Sequence, residues 1–351
     1  MANVTYLIGA GASAGKRGEN GYILEGLPCV NEISKSIKEI IDLIDTTPIP
    51  YNLEWQNSQL GLTSIGDWES ARKKLLREFH SLYRKCELHA TIDTYAKKLV
   101  LKKRMEEFKH LEQLLTLFFI YAQMRNRIDS RYDTFLANIL EPNLHFPPNI
   151  RVISWNYDSQ FELAYSEYDD TNDLTIGYKS AIFDMDYEII KINGTATFAN
   201  QKRIIELRED IQKKLWQIKD NTTGSLTLLR QETWLLEFIY LYQLYVSGKT
   251  NNTHLSFAFD DNYPSDKITN CIDNIIKRTD VLVIIGYTFP FFNRDTDRKI
   301  LQCIKPNAKI YIQDLNPERI KQSLTAVLPD FPEEQIFLRK DVDQFFLPPE
   351  L

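Results

Sequence analysis

Five short segments carry residues whose types and spacing could do chemistry. The first is Gly9-Ala10-Gly11-Ala12-Ser13-Ala14, directly after the apolar run Thr5-Tyr6-Leu7-Ile8. It fits G-x-G-x-x-G/A, a turn that lays backbone N–H groups against a dinucleotide pyrophosphate. Gly9 permits the tight turn, Gly11 close backbone approach and Ala14 close packing of the next element. The others are Ser154-Trp155-Asn156-Tyr157-Asp158, Lys191-Ile192-Asn193-Gly194-Thr195, Ile285-Gly286-Tyr287-Thr288-Phe289-Pro290 and Gln313-Asp314-Leu315-Asn316-Pro317. Each comes directly after a short apolar run. Amides, carboxylates and hydroxyls set there can hold sugar hydroxyls, water or a developing positive charge.

The elements that must position these segments are strands alternating with helices. Strand patterns run over 4–8, 150–154, 188–192, 281–285, 309–313 and near 335–338. Helical patterns fall near 295–304 and 317–328. Such alternation predicts an α/β fold, a Rossmann-like parallel sheet with helices on both faces, whose ligands bind beyond the carboxyl ends of the strands. From about 31 to 140 the chain is mostly helical, and further helices are expected over 203–219 and 226–246. Trp68, Ala71, Leu75, Leu76, Phe79, Leu82 and Tyr83 make one apolar stripe. Met105, Phe108, Leu111, Leu114, Leu115, Phe118 and Phe119 make another. The expectation is one domain over 1–351 with large helical insertions at about 31–145 and 200–250.

A dehydrogenase would continue from its glycine turn through a helix into a second strand ending in an acidic residue about 20 positions on. Here a polar loop, Gly15 to Gly21, leads instead to a helix bearing Ile33, Ile37, Ile40, Ile41 and Ile44. Hydride transfer is therefore not indicated. A formal net charge of -6 argues against a nonspecific nucleic-acid binder. No apolar run approaches the roughly 20 residues of a membrane span, and no secretory signal pattern opens the chain, so a cytoplasmic protein is expected. Cys29, Cys86, Cys271 and Cys303 form no C-x-x-C pair, so no zinc module and no metal are expected.

Taken in order, the strand-end segments resemble the sirtuin (silent information regulator) superfamily, in particular its bacterial NADase branch linked to anti-phage defence. Ile8 to Ser13 matches the opening Gly-Ala-Gly-x-Ser loop, and Asn156 with Asp158 matches the Asn-x-Asp element. Gly286, Tyr287 and Thr288 match the late Gly-x-Ser/Thr element near ribose and phosphates, and Asp314 to Pro317, with Asn316, the segment near the adenosine. The resemblance implies that Gly9, Ala10, Gly11, Ala12, Ser13, Gly286, Tyr287, Thr288, Asp314 and Asn316 bind NAD as substrate. It assigns catalysis to Asn156, Asp158 and the Asn193 position. It also implies a gated, NAD-depleting effector that works as a homo-oligomer or with a separate sensor protein.

Two departures shape that expectation. Sirtuin deacylases carry a four-cysteine zinc module that this chain lacks, which removes protein deacylation. The family's Lys-Leu-His-Gly segment reads Lys191-Ile192-Asn193-Gly194 here, and Asn cannot serve as a general base. The histidines, His80, His89, His110, His145 and His254, lie in or beside the insertions. Cleavage of the nicotinamide–ribose bond passes through an oxocarbenium-like state, and the leaving pyridine departs neutral without protonation. Asn156 could then orient the ribose hydroxyls or the water, and Asp158 supply negative charge. The same two residues equally suit an Asx-type turn capping a helix at Phe161-Glu162-Leu163. The alternative expectation is a catalytically inactive regulatory subunit that binds NAD or ADP-ribose.

Overall fold

The computed structural model describes residues 1–19, 21–50, 57–142, 144, 146–169, 189–196, 225–247, 254–259 and 266–351. The helix expected over 203–219 and His145 lie outside these residues.

Six parallel strands form one sheet. They are β1 (Val4–Ile8), β2 (Ile150–Ser154), β3 (Ile189–Lys191), β4 (Val281–Ile285), β5 (Lys309–Gln313) and β6 (Ile336–Arg339). Their spatial order is β3-β2-β1-β4-β5-β6. This is the order of doubly wound dinucleotide-binding sheets, in which the direction of winding reverses between β1 and β4. β1 and β4 are buried along their whole length, as expected of parallel strands covered on both faces.

Alternation within the strands feeds two cores. On one face Leu7, Ile153, Leu282, Ile284 and Ile312 pack against α8 (Asp266–Arg278), α9 (Arg294–Leu301) and α10 (Pro317–Val327). On the other, Tyr6, Ile8, Val152, Val283 and Tyr311 pack against α5 (Ser130–Ile139) and α6 (Gln160–Asp169). α8 was not among the expected helices. Its buried Ile268, Ile272 and Ile276 recur at helical spacing, so the signal is present in the residues of that segment.

The chain divides into two compact units. Met1–Cys29, Asn126–Thr195 and Leu255–Leu351 form the sheet unit, and Val30–Arg125 with Ala196–His254 form a helical unit. α5 falls within the stretch expected to be an insertion, but it packs in the sheet unit.

In the helical unit, α1 (Ile33–Thr46) buries the five isoleucines of its stripe. α2 (Ile65–Leu88) starts at a reciprocal Ser64–Asp67 capping box and buries Trp68, Ala71, Leu75, Phe79 and Leu82. α3 spans Ile92–Leu101 and α4 Met105–Arg125. α4 is buried on nearly all sides from Leu114 to Ala122, although Met105 at its start is exposed. α7 (Ser225–Val246) brings Phe238 against Phe79 and Tyr121, at ring separations of 5.1 and 4.6 Å. Among the described residues no helix is long and apolar enough to cross a membrane.

Candidate functional site

The carboxyl ends of β1 and β4 meet at the winding reversal, and glycines let them meet. Gly9 N–H donates to Ile285 C=O and Gly11 N–H to Gly286 C=O, both at 3.0 Å. Gly286 has φ +59, and a Cβ there would sit 2.4 Å from Gly11 Cα. A Cβ on Gly11 would sit 2.7 Å from Gly286 Cα. The close approach that Gly11 permits is therefore to the turn after β4. Gly11 N–H is already engaged and is not a free phosphate donor. Ala10 and Thr288 are the residues of these two turns that stand exposed.

A single turn of tight helix, Ala10–Ser13, comes after Gly9. Arg131 grips its far end. Its guanidinium donates to Gly11 C=O at 2.9 Å and Ala12 C=O at 3.3 Å while pairing with buried Asp129. The same guanidinium lies over the Phe345 ring, its carbon 5.1 Å from the ring centre.

Beneath this turn Ser13 is the centre of a buried polar cluster. Its Oγ lies 2.9 Å from Tyr132 Oη, donates to Asp158 Oδ1 at 3.1 Å, and accepts from Asn156 Nδ2 at 3.1 Å. Asn156 Nδ2 also donates to Gly9 C=O at 2.9 Å. Both amide protons of Asn156 thus hold the glycine turn. Its Oδ1 remains as an acceptor with no partner among the described residues. Asp158 Oδ1 further accepts from Gln160 N–H at 3.0 Å, so the Asx-type turn at the start of α6 is present together with the contact to Ser13. Asp158 Oδ2 has no side-chain donor among the described residues.

Charged side chains are buried beside this cluster. Lys191, at the end of β3, pairs with Glu162 at 3.1 Å and donates to Asp158 C=O. The ammonium thus meets the Glu162 carboxyl and the Asp158 main chain, and the side chains of all three residues are buried. Burial pushes the Asp158 carboxyl above its ordinary range, and the charge of Lys191 opposes that shift. Glu162 is displaced upward for the same cause and opposed by the same lysine. Burial, reinforced by Asp158, raises the Tyr132 hydroxyl well above its ordinary value, which keeps it a neutral donor. A buried carboxylate is suited to a cationic ligand or transition state.

Across the crevice, Trp155 stacks on Tyr287 with ring centres 5.4 Å apart. Tyr287 Oη lies 2.9 and 3.0 Å from the two oxygens of buried Asp297 and accepts from Asn293 at 3.0 Å. Burial lifts the Asp297 carboxyl well above its ordinary value, and its bonds to Tyr287 offset only part of this. A carboxyl displaced upward adds stability below its unfolded pKa, near 3.8, and loses it as pH rises through the displaced value. Asp297→Asn should therefore flatten the decline in melting temperature with rising pH and melt higher than wild type at alkaline pH. Parallel melting curves for the two proteins would refute this.

Asn193 is buried, and its Nδ2 reaches Trp155 C=O at 3.4 Å. Asp314 and Asn316, beyond β5, make a different kind of contact. Asp314 Oδ1 accepts from Asn316 N–H at 2.8 Å and Asn316 caps α10, with only their exposed edges left for a ligand. The structure thus brings Ser13, Asn156 and Asp158 together and sets Gly286 against Gly11, whereas Asp314 and Asn316 serve a helix start. His80 is exposed, His89 bonds Lys85 C=O, and His110 bridges Glu78 and Tyr245, all within the helical unit. The side chain of His254 lies outside the described residues. Among the described residues no group of three or more His, Cys, Asp or Glu could hold a metal ion. Tyr132, Arg131 and Glu162 were not expected at the site, because nothing in their local sequence marks them. No family model matches the chain, and a search of curated proteins finds no match.

Proposed function

We propose that this chain is a sirtuin-like NAD+ hydrolase that releases nicotinamide and ADP-ribose. The observation that carries this reading is the buried Asp158 carboxyl, held beside Asn156 under the glycine turn at the winding reversal. Asn156 Oδ1 and Asp158 Oδ2 are both acceptors, the partners that a ribose diol or an attacking water needs. Ionised Asp158 stabilises the positive charge that builds on the ribose as the bond to the pyridinium breaks. Because nicotinamide leaves neutral, no proton donor is required, and Asn193 in place of a base does not block this step. The pyrophosphate lies over exposed Ala10 and Thr288. By the same resemblance the protein depletes NAD in anti-phage defence, with the aromatic-rich helical unit as the surface for oligomerisation or for a sensor protein.

A second reading, a non-catalytic NAD or ADP-ribose sensor, is supported by the structural use of Asn156, both of whose amide protons hold the glycine turn. Nicotinamide release from NAD, measured over a range of protein concentrations, separates the two. The hydrolase reading expects release by wild type and about a hundredfold less by Asn156→Ala, which still binds NAD. NAD binding with no release by wild type at any concentration would favour the sensor.

A further inference from the structure

Asn193 and Ser256 are each more than nine-tenths buried, and each ends in an enclosed polar atom without a hydrogen-bond partner among the described residues, Asn193 Oδ1 and Ser256 Oγ. The two residues are neighbours, since Ser256 N–H donates to Asn193 C=O at 3.0 Å. An orphaned buried polar atom costs about 1–3 kcal/mol, so two on adjacent residues are a standing penalty on the ligand-free fold. Aromatic residues adjoin Ser256 along the chain. Phe257 stacks on Phe259 at 5.3 Å, and Tyr157, two residues beyond the Trp155 carbonyl that Asn193 contacts, meets Phe257 edge-on at 6.3 Å.

We propose that Asn193 and Ser256 form the subsite for the carboxamide of the nicotinamide leaving group, which rests on the NAD+ hydrolase reading above. A primary carboxamide has the complementary pattern. Its NH2 donates to Asn193 Oδ1, and its C=O accepts from the Ser256 hydroxyl. The aromatic side chains of Tyr157, Phe257 and Phe259 supply the faces on which the pyridine ring stacks. Both atoms are enclosed in the ligand-free form, so the side chains that cover them move to admit the ring. In this assignment Asn193 recognises the leaving group and moves no proton. The specificity that results is for a carboxamide over a carboxylate, because Asn193 Oδ1 repels an anionic oxygen.

The test is titration calorimetry with nicotinamide and, separately, ADP-ribose, neither of which is consumed. Wild type should bind both. Ser256→Ala and Asn193→Leu should each weaken nicotinamide at least tenfold and leave ADP-ribose within twofold. Ser256→Thr, which keeps the hydroxyl, should bind nicotinamide as wild type does. Ser256→Ala should not melt lower than wild type, since it removes an orphaned polar group. Unchanged nicotinamide affinity in both loss variants would overturn the subsite. So would wild type that binds ADP-ribose but not nicotinamide, and in that case the hydrolase reading survives. Wild type that binds neither would overturn both.

Discussion

Replacing Asp158 by asparagine is expected to slow nicotinamide release about a thousandfold while the protein folds as before. The substitution keeps the outline of the side chain and an oxygen to accept from Ser13 and Gln160, whose bonds fix the turn. It removes the negative charge from a buried position where no solvent can replace it. Loss of one preorganised electrostatic contact to a transition state costs about a hundred- to a thousandfold. Stability should hold, because Lys191 and Glu162 then balance each other one to one. The pH profile gives a second readout. Burial holds the Asp158 carboxyl above the ordinary range, so wild-type activity should climb with pH as it ionises, at a higher pH than a surface aspartate would. Asp158→Asn should lack that limb. Equal rates for the two proteins, or the same limb in both, would exclude Asp158 as the charge that matters.

Gly286→Ala is expected to lower stability by more than about 4 kcal/mol or leave no soluble protein. Two costs combine. With φ +59 the backbone there is left-handed, and a Cβ would lie 2.4 Å from Gly11 Cα and 2.5 Å from Ala12 N, none of which can yield without parting β1 from β4. Gly61 is the control. It has φ +66 with nothing within 4 Å of a Cβ, so Gly61→Ala should cost only about 1 kcal/mol of backbone strain. Thermal melting of the two variants decides the matter. If Gly286→Ala melts like Gly61→Ala, the turns after β1 and β4 are not locked together as described. Phe289, buried with φ +52 just before Pro290, adds to the strain stored in the same turn.

The sheet was largely legible in the sequence because its strands are short runs rich in β-branched and aromatic residues. The bounds of β1, β2, β4 and β5 coincide with those read from residues 4–8, 150–154, 281–285 and 309–313. The winding order is less direct. Alternating strands and helices imply parallel pairing, but only the register of Val4 with both Ile150 and Val281 places β1 at the centre. At the site, Asn156 and Asp158 were legible from their position just past a strand. Their partners were not. Tyr132 reaches Ser13 across 119 positions, through a helix whose periodicity reveals its buried face but not where its hydroxyl ends. Lys191 was read for its place beside Asn193, and its bond to Glu162 depends on how α6 lies against β3. Gly11 shows how one residue type can satisfy two demands, since a pattern that accommodates a pyrophosphate also accommodates a neighbouring turn.

The placement of β1 has a consequence for synthesis. It is made before the other five strands of its sheet, yet its neighbours are β2 and β4, and the bond between Asn3 and Asp280 joins residues 277 positions apart. At translation rates of about 5–20 residues per second, β1 waits roughly 15 to 55 s with one edge bare after it leaves the ribosome. The glycine turn stays unpinned for the same interval, since Gly286 and Ile285 supply the carbonyls that hold it. A truncated nascent chain therefore carries a bare, mostly apolar strand and no finished site. The crevice can take a ligand only once Ile285 and Gly286 have emerged to pin the turn, and shielding that strand until then falls to chaperones.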